Sequence, residues 1–121
     1  MSLKLEIKYF YASDIEDICN WVPEDKSDVY YGLLIIVGEF GKKEGTDFQI
    51  SIATPKGISN IPELINHGIY SDRNLLLVSD YSWEVVEKRL KEIVSKCTAS
   101  NFGESMLRLQ RYFLWEYEDW D

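Results

Sequence analysis

The sequence predicts an α+β fold: a mostly antiparallel sheet of about five strands, with two late amphipathic helices packed on one face. Three observations carry this reading. Gly32-Leu33-Leu34-Ile35-Ile36-Val37-Gly38-Glu39-Phe40 is rich in Leu, Ile and Val. It is far shorter than the roughly 20 apolar residues a membrane helix needs, and it reads as a buried strand. After a polar loop with glycine at positions 41 and 45, Asp47-Phe48-Gln49-Ile50-Ser51-Ile52-Ala53 alternates. Phe48, Ile50 and Ile52 then share one sheet face, and Gln49 and Ser51 the other. The two runs form an antiparallel hairpin with a loop a few residues longer than the tightest turn. The continuous strand is expected at the sheet centre and the alternating one nearer an edge. The third observation is a helical stripe: Trp83, Val86, Leu90, Ile93, Val94 and Cys97 fall on one side, with Glu84, Glu87, Lys88, Lys91 and Glu92 opposite.

The remaining elements follow in chain order. Leu3, Leu5 and Ile7 alternate with charged residues and predict an amphipathic first strand with these three inward. Ser13-Asp14-Ile15-Glu16 has the form of a capping box, so a short helical turn is expected to start there. Trp21 to Asp28 is a polar connector broken by Pro23. Thr54-Pro55-Lys56-Gly57 ends the hairpin, because proline cannot continue an interior ladder. Asn60-Ile61-Pro62-Glu63 places a cap, an early proline and an acid at a helix start, and His67-Gly68 marks its end. Asn74 to Val78 is a brief apolar strand. Ser82 is expected to cap the long helix. A second helix spans about Phe102 to Tyr112, with Phe102, Met106, Leu109 and Phe113 aligned. Trp115 to Asp121 alternates and reads as a final edge strand.

At 121 residues the chain is expected to form one domain, 1–121, with a core of its own. The hydrophobic share of 45% places it among globular proteins and not disordered ones. Thirteen Lys and Arg against 21 Asp and Glu leave a net charge of −8. Such a field repels phosphate backbones and anionic membrane surfaces, so neither nucleic acid nor membrane is expected as a partner. A basic protein would be attracted. No export signal is recognisable at Met1 to Ile7, which predicts a cytoplasmic protein with Cys19 and Cys97 reduced and buried.

Catalytic equipment is sparse. His67 is the single histidine and sits at a predicted helix end, where an imidazolium favours the dipole. No His, Cys and carboxylate cluster has metal-ligand spacing, and the glycines at 38, 41 and 45 fit no phosphate-binding pattern. No cofactor or metal is expected, and the chain does not read as an enzyme.

The end of the chain is more informative. Trp115, Tyr117 and Trp120 interleave with Glu116, Glu118, Asp119 and Asp121, and no base is present. Aromatic anchors between carboxylates suit a surface that grips a basic partner. The same pattern also suits an edge strand with aromatics inward and acids left in water, where they guard against aggregation. The acids Glu39, Glu44 and Asp47 around the hairpin loop form a second candidate patch.

The chain resembles the immunity protein 8 family of bacterial polymorphic-toxin systems. Three places carry the resemblance. They are the hairpin from Leu33 to Lys56 closing on Thr54-Pro55-Lys56, the Tyr81-Ser82-Trp83 start of the helix ending near Cys97, and Arg111-Tyr112 leading into Trp115-Glu116-Tyr117-Glu118-Asp119. It departs at Gly57 and Phe102, where bulkier aromatics are common in the family. The resemblance implies a non-enzymatic protein that binds and neutralises a cognate toxin domain. The acidic balance favours a basic toxin such as a nuclease. On residue chemistry the expected contacts are Glu116, Glu118, Asp119 and Asp121 with Trp120 as anchor, then Glu39, Glu44 and Asp47. An acidic adaptor or assembly protein using the same surface is the alternative, and a small acidic enzyme a third reading.

Overall fold

The structure, a computed structural model, describes residues 3–69 and 74–115. Strand β1 (Leu5–Tyr11) is followed by a 3₁₀ turn at Ile18–Asn20, then β2 (Tyr30–Glu39) and β3 (Thr46–Ala53). Two short helices come next, α1 (Pro55–Ser59) and α2 (Pro62–His67), then β4 (Leu75–Leu77). Helices α3 (Trp83–Cys97) and α4 (Phe102–Leu109) precede β5 (Leu114–Trp115). This is the α+β arrangement the sequence predicts.

The sheet runs β1-β2-β3, and β4 and β5 share the far side of β3 end to end. β4 pairs parallel with Ser51 to Ala53, while β5 pairs antiparallel with Phe48 and Gln49. All other ladders are antiparallel. β3 therefore lies inside the sheet, which corrects the expectation that it sits nearer an edge. Its alternation has another cause: helices cover one of its faces and leave the other open.

The same asymmetry shapes β2. Although apolar throughout, it alternates in burial: Tyr31, Leu33, Ile35 and Val37 are buried, and Leu34 and Ile36 only half so. Val86, Leu90, Ile93, Val94 and Cys97 of α3 enter the core, as do Met106, Leu109 and Phe113. Trp83 meets Phe10 of β1 edge-on at 4.9 Å, and Phe113 meets Phe48 of β3 at 6.0 Å. The first contact fixes α3 to this face, the second fixes the turn after α4, and Met106 and Leu109 bring α4 itself into the same core.

β1 contains an irregularity that local alternation did not disclose. Ile7 pairs with Val37 and Tyr9 with Ile36, so Lys8 is an extra residue on β1. A bulge of this kind moves later side chains to the opposite face. Leu5 and Ile7 point inward before it; Phe10 and Ala12 do so after it, leaving Tyr9 and Tyr11 outside.

Local signals misplace several boundaries. The helical turn begins at Ile18 and not at the Ser13 capping box; Ile15 instead forms a bridge with Ala12. Thr54-Pro55-Lys56 ends the hairpin and also opens α1, with the Thr54 side chain accepting from the Gly57 amide. Ile61, not Asn60, stands at the cap position of α2; Asn60 closes α1, and its side-chain Nδ2 donates to Asp28 Oδ1 at 3.2 Å. α2 ends as expected on Gly68, whose φ of 68° is readily adopted by glycine. α4 stops at Leu109, and Phe102 lies on the surface. Cys97 is buried, but Cys19 is exposed, contrary to expectation.

Candidate functional site

The hairpin loop carries the first candidate patch, and β1 holds it from below. The Lys8 ammonium donates to Glu6 Oε2 at 2.8 Å, to the Glu39 carbonyl at 2.7 Å and to the Lys42 carbonyl. Glu6 in turn accepts the Gly41 amide at 3.2 Å, and Lys8 with that amide holds its carboxyl below the usual range. The bulge thus delivers a cation that fastens the loop. Glu39 pairs with Lys42 at 2.6 Å, so one of the three candidate acids is already compensated. Glu39 and Glu44 border a hollow of about 310 Å³ with Phe102 of α4. Asp47 belongs elsewhere: it stands opposite Ile36 on the helix-free face. The structure therefore divides the predicted loop patch in two.

The second patch, Glu116, Glu118, Asp119, Trp120 and Asp121, lies outside the described residues. What is described is its approach. β5 runs antiparallel to β3 and brings Trp115 opposite Phe48, next to Asp47, at the hairpin-loop end of the sheet.

A third acidic stretch runs from the Ser13 capping box through the Trp21 to Asp28 connector. Residues 13–28 hold six acids and one base, and residues 116–121 hold four acids and no base. The rest of the chain has eleven acids and twelve bases, so these two stretches carry the whole net charge. A running count of charge, with no structural input, would have found the first.

The 13–28 connection is pinned from within. Ile18 and Val29 are buried, and Trp21 stacks edge-on against Tyr31 at 5.8 Å and Tyr81 at 5.3 Å. The two tyrosine hydroxyls meet at 2.9 Å, and burial pushes the ionisation of both upward. Asp25 accepts from the Ser27 hydroxyl at 2.6 Å, the Ser27 amide at 2.9 Å and Lys56 at 3.1 Å; these hold its carboxyl down to about 2. Asp14 and Glu16 are exposed and make no ion pair among the described residues.

The helix-free face of the sheet carries a groove of about 510 Å³. It crosses from Tyr11 over Gly32, Leu34, Gln49 and Ser51 to Leu114. Among the described residues no charged side chain lines it. His67 is exposed at the end of α2 and touches none of these patches. Among the described residues no group of three or more His, Cys, Asp or Glu side chains is placed to hold a metal, and no helix is long and apolar enough to cross a membrane. What the surface offers is acids, aromatics and open backbone, which suit recognition of another macromolecule.

No curated protein and no solved structure matches the chain. The sequence model of one family, immunity protein 8, matches residues 5–120. That span covers the 13–28 stretch, all but Asp121 of the terminal one and every strand and helix described above, and the chain belongs to the immunity protein 8 family.

Proposed function

We propose that this protein neutralises a cognate polymorphic toxin by binding it, and that the toxin domain is basic, as a nuclease is. Family membership over residues 5–120 is the observation that carries the reading. The charge of −8 supports the choice of toxin. A nuclease needs a positive cleft to hold phosphate, and an acidic surface would be steered to that cleft and compete with its substrate. The protein acts by occupying its target and needs neither a catalytic residue nor a cofactor. The contacts are drawn from Glu116, Glu118, Asp119, Trp120 and Asp121, with Glu39, Glu44 and Asp47 as a second patch.

The experiment is to co-express the chain with the toxin domain encoded beside it, and to mix the two purified proteins. Survival of toxin-expressing cells, a stable complex on gel filtration and stoichiometric loss of toxin activity are the expected results. A chain that co-purifies with the toxin yet leaves cells unprotected and toxin activity intact would make it an adaptor instead.

A further inference from the structure

We infer that the toxin docks on the helix-free face of the sheet, laying a segment of its backbone over Gly32 and directing a basic side chain to the Asp14–Asp17 turn. This rests on the toxin-binding reading above. The starting point is Gly32 itself. Glycine in a strand interior weakens the strand, and its presence there commonly marks a bulge, a bend or a close approach of another backbone. The bulge in this sheet is at Lys8, opposite Val37 and Ile36, and not at Gly32. Gly32 pairs regularly with Ser51 in the middle of the ladder, and its φ is not left-handed.

Nothing among the described residues requires a glycine there. A Cβ added at Gly38 would lie 2.1 Å from the Glu44 carbonyl oxygen, one at Gly45 2.4 Å from Ile36, and one at Gly57 1.9 Å from the Val29 carbonyl oxygen. A Cβ at Gly32 would meet no atom of the described residues within 4 Å. The space it leaves is the floor of the groove between Tyr11 and Leu114. No described residue makes use of that space.

The surroundings say what kind of occupant fits. Among the described residues the lining is uncharged, with Gln49, Ser51 and the Tyr11 hydroxyl able to meet a peptide's polar groups, and Leu34 and Leu114 to meet its apolar ones. Tyr9 and Tyr11 stand exposed at 56% and 50%, broad amphipathic surfaces of the kind that anchor interfaces and stack on guanidinium groups. Charge lies beyond the lining. Ser13 closes one end, and Asp14, Glu16 and Asp17 follow it directly; Asp47 lies on the same face, two residues from Gln49. Asp14, Glu16 and Asp47 hold no ion pair among the described residues. Carboxylates beside an aromatic groove select arginine or lysine on the partner. A second copy of this chain fits poorly, since each copy carries −8 and would set acid against acid.

Gly32 also supplies the test. Because an added side chain meets none of the described residues and aromatic residues favour strands, Gly32→Trp is expected to fill the groove while keeping the fold. Wild type, Gly32→Trp and Gln49→Arg are each checked by circular dichroism and gel filtration, then titrated against the purified toxin domain. Gln49→Arg sets a cation in the groove from an exposed position on the neighbouring strand, and serves alone if the tryptophan variant does not fold. The expected result is tight binding by wild type and a loss of roughly thirtyfold or more in each folded variant, as when a central contact is blocked. Failure of wild type to bind the toxin overturns the toxin-binding reading. Wild-type binding matched by both folded variants overturns the docking face alone. A wild-type dimer that Gly32→Trp dissociates, with toxin affinity unchanged, also overturns it, by making the face a contact between copies.

Discussion

Thr54 holds Val29 by both its backbone and its side chain. Its amide donates to the Val29 carbonyl at 2.9 Å, and its hydroxyl accepts the Val29 amide at 2.9 Å. The same hydroxyl accepts the Gly57 amide at 3.1 Å and donates to the Ser27 carbonyl at 2.6 Å. Thr54 is fully buried, so one side chain ties the acidic connection to the end of β3 and the start of α1.

Thr54→Val keeps the shape and removes the hydroxyl. The Val29 and Gly57 amides and the Ser27 carbonyl each lose a partner, at a cost of roughly 2–4 kcal/mol against a total of about 5–15. Thr54→Ser keeps the hydroxyl and loses only a methyl group, which costs about 1 kcal/mol. Urea unfolding followed by circular dichroism checks both. Equal midpoints for the two variants would show that the hydroxyl contributes nothing.

Asp25 makes stability depend on pH. The Ser27 hydroxyl and amide, then Lys56, hold its carboxyl down to about 2 from an ordinary value of 3.8. In the unfolded chain it takes up a proton near pH 4, before the folded protein does. Its contribution is therefore complete above about pH 4 and is lost as pH falls towards 2. The group is exposed, so the effect is modest. Asp25→Asn is expected to flatten the fall in stability between pH 4 and 2, measured by denaturant titration at several pH values. Parallel curves for variant and wild type would remove Asp25 from the account.

The two thiols should differ in reactivity. Cys97 faces the core from α3 and Cys19 is exposed; partial burial pushes the ionisation of both upward, so access decides between them. Alkylation of the native protein without reductant should modify Cys19 alone, and Cys97 only after unfolding, as read by mass spectrometry. A native protein in which neither thiol reacts until reductant is added would mean that the two are joined.

Which parts of this fold were legible follows from where their causes lie. The β2–β3 hairpin and α3 are set by periodicity within a few residues of each position, and Ile35, Phe48 and Leu90 are buried as their spacing implies. The place of β3 was not legible, because its second neighbours are Leu75–Leu77 and Leu114–Trp115, far along the chain. The bulge at Lys8 is set by the partner strand and by a loop some thirty residues away, through bonds to Glu39 and Lys42. Asn60 and Ser13 are good cap residues whose side chains or backbone found other arrangements. Of the site, the acidic end of the chain could be read directly, whereas the groove needed Tyr11, Gly32 and Leu114 brought together from three strands.

Charge and aromatic contacts should divide the binding kinetics between them. A field of −8 speeds encounter with a basic surface and is screened beyond roughly 8 Å at physiological ionic strength. Association with the toxin should therefore slow as salt rises, while dissociation changes less. Exposed acids act mostly on encounter, and aromatic anchors act on release. Glu118→Lys in the terminal stretch and Asp14→Lys in the connection are expected to slow association, each by a few fold, with little change in release. Trp120→Ala is expected to hasten release with association nearly unchanged, and so is Tyr11→Ala at the groove. Stopped-flow mixing with the toxin domain at low and physiological salt measures both rates, with circular dichroism confirming each fold. If folded variants at all four terminal acids and at Trp120 bind with unchanged rates, the terminal stretch takes no part in binding. If Asp14→Lys and Tyr11→Ala still change the rates in that case, the interface is the sheet face and the acidic turn beside it.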